Sequence, residues 1–162
     1  MLTTGKPALR VLTPLLLVGL LSASATGCAL LEGPTPDTPK REAPAEPETA
    51  PEFFPEGSAA DNLPYFTETM RTYAAGDGPV LGAPLVDSLV AAGFNRDTMQ
   101  VSFDESKTGL AADNIFVSAR FGADCLIGQL VAGDRSFVAT VQPAVGPNQD
   151  ICLIGNTRPL DW

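Results

Sequence analysis

The chain contains no histidine among its 162 residues. That absence removes the Ser-His-Asp triad, the Cys-His nucleophile pair and every zinc site built on imidazole. A G-x-x-x-x-G-K-[ST] phosphate loop and a G-x-G-x-x-G dinucleotide fingerprint are missing too. Positive charge is scarce: 10 Lys and Arg stand against 19 Asp and Glu, for a net charge of −9. Nucleic acid is therefore not an expected partner, because a phosphate backbone attracts the opposite sign. No apolar run reaches the roughly 18 residues that a membrane-spanning helix needs. Cysteine is limited to Cys28, Cys125 and Cys152, none of them in a C-x-x-C pair.

What is present begins with an export signal. Lys6 and Arg10 form a basic n-region, residues 11–21 an apolar h-region broken by Pro14 and Gly19, and residues 22–27 a run of small side chains. Ala25-Thr26-Gly27-Cys28 resembles the lipobox of bacterial lipoproteins, with Ala25 in place of the leucine most common there. Cleavage after Ala23-Ser24-Ala25 is the competing reading, but it would leave Cys28 as an odd exposed thiol beside a potential Cys125/Cys152 pair. The expectation is a signal peptide over residues 1–27 and a diacylated Cys28, with two acyl chains sufficing for stable anchoring at the outer face of the cell membrane. Loss of Lys6 and Arg10 would take the net charge from −9 to −11.

Residues 28–57 change character abruptly. Pro34, Pro36, Pro39, Pro44, Pro47, Pro51 and Pro55 alternate with Glu and Asp. Proline removes backbone donors and favours polyproline II, while like charges stretch the chain, so this segment is expected to be a disordered tether. At about 3.1 Å per residue its extended limit is on the order of 90 Å. Pro36-Asp37-Thr38-Pro39 also has the P-x-x-P spacing of a ligand for an aromatic groove, although a spacer accounts for the whole stretch.

Residues 58–162 have the length of one small domain. Asp61 or Asn62 is the expected cap of a helix with Pro64 in its first turn and Phe66, Met70, Tyr73 and Ala74 on one stripe. A second helix is expected near Pro84, with Leu85, Val86, Leu89 and Val90 on its apolar face, Gly93 just past its end and a short turn over residues 95–99. The period then drops to two. Met99, Val101 and Phe103, then Ile115, Val117, Ala119 and Phe121, alternate with mostly polar neighbours, and residues 125–132 and 137–142 form a hairpin around Gly133-Asp134. Helices followed by strands predict an α+β fold: two N-terminal helices packed on an antiparallel sheet of four to five strands.

A small repeat stands out in the second half. Cys125-Leu126-Ile127-Gly128-Gln129 recurs as Cys152-Leu153-Ile154-Gly155-Asn156, and each copy reads as an apolar strand. In an exported protein two cysteines in such matched settings are expected to bond to each other. Strands two places apart in a meander are too distant for that bond, so one cysteine must sit outside the regular ladder, on a shared rim.

These copies, with Leu89-Val90-Ala91-Ala92-Gly93-Phe94, Met99 and the terminal Thr157-Arg158-Pro159-Leu160-Asp161-Trp162, carry a resemblance to an uncharacterised family of actinobacterial lipoproteins, a domain of unknown function, over most of residues 85–162. The resemblance implies an address and a fold, and no activity.

Several constellations invite chemistry. Asp104 and Glu105 are adjacent carboxylates at a strand end and so point to opposite faces, which predicts a solvated turn. Asp124 and Asp150, drawn together by the disulfide, with Asn148, suggest calcium ligands, but the dense spacing of a calcium loop is missing and turn capping is expected, with no metal and no cofactor. Gln129, Asn156, Arg158, Asp161 and Trp162 are the candidate ligand-binding residues; Trp162 is expected as a core plug, with Arg158 and Asp161 as surface charges. The functional expectation is a non-enzymatic, lipid-anchored module of the cell envelope that meets a protein or glycan partner, with a small-ligand-binding lipoprotein as the alternative.

Overall fold

The computed structural model describes residues 43–162. The expected signal peptide, Cys28 and the first part of the expected tether lie outside the described residues.

Ser58 stands in extended backbone just ahead of helix α1 (Ala59–Ala75) and closes a capping box. Its Oγ accepts the Asp61 N–H at 3.2 Å, and the Asp61 carboxylate accepts the Ser58 N–H at 2.9 Å and the hydroxyl at 2.7 Å. The helix therefore starts earlier than the expected Asp61 or Asn62 cap, and Pro64 falls inside it rather than in its first turn. The two donors hold the Asp61 carboxyl below its ordinary value of 3.8, the Ser58 hydroxyl contributing most. A lowered pKa adds stability that is present above the ordinary value and lost as pH falls through the folded one. Thermal melts of the parent and of Asp61→Asn are expected to differ at about pH 6 and to converge as pH falls below the ordinary value of 3.8. A difference that persists at acid pH would rule out the charged box.

Helix α2 (Gly82–Ala91) has no side-chain cap of its own, since Leu81 occupies the N-cap position. Asp104 supplies one from a distance: its Oδ1 accepts the Gly82 N–H. The carboxylate expected in a solvated turn is thus a tertiary cap, and only Glu105 is exposed there. Gly93 follows the helix at φ +105°, as its expected C′ role requires. A short 3-10 helix, Arg96–Thr98, capped by Asn95, leads into the sheet.

Four strands, β1 (Met99–Val101), β2 (Asn114–Phe121), β3 (Asp124–Val131) and β4 (Phe137–Pro143), form an antiparallel meander in chain order. The alternation that defines them puts Val101, Ile115, Val117, Ala119, Leu126 and Leu130 on one face, buried under the helices. α1 crosses β3 and β4, and α2 crosses β1 and β2. Phe66 and Met70 press onto Gly128, where an added Cβ would lie 2.9 Å from Met70 Cε and 3.2 Å from Phe66 Cε1. Arg135, at φ +58° in the β3–β4 turn, reaches back to the C-terminal end of α1, donating to the carbonyls of Tyr73, Ala74 and Gly78, each at 2.8 Å. The contacts with Tyr73 and Ala74 serve carbonyls of the last helical turn, Tyr73 O also accepting the Gly76 N–H, and the contact with Gly78 holds the loop beyond it.

Two expectations are corrected. The second repeat copy is not a strand: past an isolated bridge between Val145 and Ile151 the chain is irregular, and Ile154 is 92% exposed. The end of the segment assigned to the tether packs on the domain through Phe53 and Phe54, and Pro44 and Ala45 touch it at Arg71, while most residues between them are exposed. Phe53 packs 5.4 Å from Tyr65 and 5.0 Å from Phe94, ring centre to ring centre, because an aromatic side chain among acids and prolines still gains by burial.

Candidate functional site

The sheet face turned away from the helices is closed over its middle by the chain after β4. Ala144 N–H donates to Ala123 O at 2.8 Å, and Cys125, the second residue of β3, bonds to Cys152 with the Cα atoms 5.7 Å apart. Cys125 lies in the ladder and Cys152 outside it, the arrangement that the meander demands. Gln100, on the same face of β1, replaces a neighbouring strand. Its Oε1 accepts the N–H groups of Cys152 at 2.9 Å and Leu153 at 3.0 Å, and its Nε2 donates to Asp150 O at 3.0 Å. Beside Gln100 in the register, Ser118 is fully buried, and its Oγ has no hydrogen-bond partner.

The C-terminal residues return along β1. Arg158 N–H donates to Val101 O at 2.9 Å, and its guanidinium donates to Asp104 Oδ2 at 2.7 Å. Trp162 is held between two cations, with Arg158 Cζ 4.6 Å and Arg96 Cζ 4.7 Å from its ring centre. Its Nε1 and Arg96 Nη1 both donate to Asp87 Oδ1 at 3.1 Å. Trp162 is therefore not a core plug but a surface clasp, 39% exposed, in which the ring's π faces meet guanidinium groups. Arg158 is correspondingly no isolated surface charge, since one side chain ties the tail to the carboxylate that caps α2. Asp161 and Asn156 are exposed, and Gln129 Nε2 donates to Asn114 Oδ1 on the neighbouring strand. Of the five candidates, then, the structure joins Arg158 and Trp162. Asp87, Arg96 and Asp104 complete that cluster, and sequence spacing carried no signal for them because they come from three separate elements.

On the helical side a cleft of about 620 Å³ lies between α1 and α2, lined by Tyr65, Thr69, Thr72, Tyr73 and Ser88 and walled by Ala50 and Pro51. The tyrosine hydroxyls are already committed, Tyr65 donating to Ala92 O at 3.0 Å and Tyr73 to Pro79 O at 2.6 Å. Burial raises the Tyr73 pKa, while the charge of Arg135 opposes the rise. Thr69 and Ser88 hydroxyls likewise bond helix carbonyls. Those walls offer mainly ring faces and methyl groups, with the Glu68 carboxylate, paired to Arg71, also in the lining. A smaller cleft of about 370 Å³, bordered by Glu56, Asn95, Thr98 and Arg120, adjoins the β2–β3 turn. Asp124 and Asp150 are exposed and line neither cleft. Among the described residues no group of three or more Cys, Asp or Glu is placed to hold a metal ion. No described helix is long and apolar enough to cross a membrane.

No curated protein and no solved structure matches the chain. A family described as a domain of unknown function (DUF6993) matches residues 70–156, from the middle of α1 to the loop beyond Cys152, and the chain belongs to that family.

Proposed function

We propose that this protein is a lipid-anchored module on the outer face of a bacterial cell membrane, acting by binding a protein or glycan of the envelope rather than by catalysis. The observation that carries the reading is the Cys125–Cys152 disulfide. A structural disulfide fits an oxidising compartment, and it leaves Cys28 alone, behind a signal-like segment and three small residues. Two acyl chains on Cys28 would hold the domain at the membrane, and the acidic, proline-rich residues after it would act as the spacer. Further support comes from the arginines at 71, 96, 135 and 158, each bonded within the fold as a structural clasp. The alternative, a small-ligand-binding lipoprotein, is favoured by one observation, the 620 Å³ cleft between the helices.

Cell fractionation tests the anchor. Cys28→Ser is expected to move a folded, disulfide-bonded protein from the membrane fraction into the medium, and the native protein should carry lipid by mass spectrometry. Retention of the variant at the membrane, or an unmodified Cys28 in the native protein, would refute it. Crosslinking on intact cells then separates the two binding readings, a captured macromolecule favouring the first.

A further inference from the structure

The proline-rich segment ahead of α1 meets a surface prepared for it. Arg71, midway along α1, is fixed by Glu68, which accepts from Nε at 2.9 Å, and by Phe137, whose ring centre lies 5.6 Å from Cζ. That leaves the two terminal nitrogens side by side, and they donate to consecutive carbonyls, Pro44 O and Ala45 O, both at 2.9 Å. A proline-rich chain is short of N–H donors and rich in exposed carbonyls, so a forked donor suits it. Farther along, Pro51 stands at the wall of the cleft that Tyr65 and Tyr73 line. At the far end Phe53 enters the aromatic cluster, and the buried Asn62 grips the backbone of Phe54.

The two ends are held very differently. Phe53 and Asn62 belong to the packed domain. Between Ala45 and Phe53, by contrast, nearly every residue is exposed, and no hydrogen bond joins residues 46–52 to the rest of the described chain. Glu46, Glu48 and Glu52 also repel one another.

We infer that Arg71, Tyr65 and Tyr73 form a docking groove for extended proline-rich chain, occupied in cis by residues 44–52 as a releasable strap that walls the α1–α2 cleft. Arg71 is its clasp and Phe53 its hinge. Release exposes the cleft to a binding partner. If the protein is lipid-anchored, release also lengthens the spacer by roughly 30 Å, at about 3.1 Å per residue.

The test uses the full chain after signal removal. A Glu-specific protease reports the strap through cleavage after Glu48, whose rate follows the open population. Arg71→Ala is expected to raise that rate at least about tenfold, and Pro51→Asp, which leaves Glu68, Arg71 and Phe137 untouched, should raise it as well. Circular dichroism establishes that each variant is folded; should Arg71→Ala fail to fold, Pro51→Asp and Arg71→Lys, which keeps the charge but loses the fork, decide the matter. In a Pro51→Asp chain whose raised cleavage shows the strap to be released, a synthetic peptide of residues 43–52 is expected to shift the Arg71 Nε–H resonance. Unchanged cleavage in the folded variants overturns the strap, and a peptide that leaves Arg71 undisturbed in a strap-released chain overturns the groove.

Discussion

Reducing the Cys125–Cys152 bond, or replacing both cysteines with alanine, is expected to lower the stability of the domain by about 3.5 kcal/mol. The bond closes a sequence separation of 27 residues, and the figure is the loop-closure entropy that it removes from the unfolded chain. Against the roughly 5 to 15 kcal/mol typical of a small domain the loss is large. It should also be uneven in space. Cys125 stays in β3, paired on both sides by β2 and β4, so the meander and helices persist. Residues 144–155 keep the Val145–Ile151 bridge, the turn bond from Gln149 N–H to Gly146 O, the backbone bond at Ala144 and the carboxamide of Gln100. Urea unfolding with and without reductant measures the first effect, and amide exchange of Ile151, Cys152 and Leu153 the second. A shift below about 1 kcal/mol would refute the estimate, and equal exchange in the two forms would show that the loop is held by something else.

Replacing Asn62 should come close to that in size. This side chain is fully buried, and it answers the backbone of Phe54 at both groups: Oδ1 accepts the Phe54 N–H at 2.8 Å, and Nδ2 donates to Phe54 O at 2.8 Å and Ser58 O at 3.0 Å. In effect it is a one-residue strand that pins the segment before α1. Asn62→Leu has similar volume but leaves the Phe54 N–H unmatched, while Phe54 O keeps only the Gly57 N–H, for an expected loss of about 1 to 3 kcal/mol. Asn62→Asp is the sharper probe, being isosteric yet placing a carboxylate against two carbonyls. The Phe54 N–H still donates to one oxygen, but burial and the two carbonyls facing the other oxygen raise the folded pKa of the new acid, so the variant's penalty is largest at neutral pH and shrinks relative to the parent as pH falls towards about 4. Chemical denaturation of the parent and both variants at two pH values checks this. If Asn62→Asp is no worse than Asn62→Leu at neutral pH, Asn62 is not acting as a donor.

Much of the architecture was legible because it is periodic. A 3.6-residue stripe marked Phe66 and Met70 on α1 and Leu85 and Leu89 on α2, and a two-residue alternation marked Val117, Ala119 and the strands around them. The cysteine pair was legible because Cys125 and Cys152 sit in matched apolar settings, and the rule against bridging distant strands placed one partner outside the ladder. The site was far less so. Asn62, Asp104, Gln100 and Arg135 each serve backbone groups distant in sequence or in the wrong place for a local rule, and a single polar residue carries no sign of which orphan donor or acceptor it will meet.

The repeat divides what each level decided. Cys-Leu-Ile-Gly occurs twice with the same apolar character and the same intrinsic preference for a strand, and sequence alone pointed to a bond between the two cysteines. Only the tertiary structure decided that Cys125 begins a strand and Cys152 does not. A strand needs backbone partners as well as propensity. The first copy has β2 and β4 on its two sides, whereas the second arrives after the sheet face has been built, and its N–H groups find the side chain of Gln100 instead.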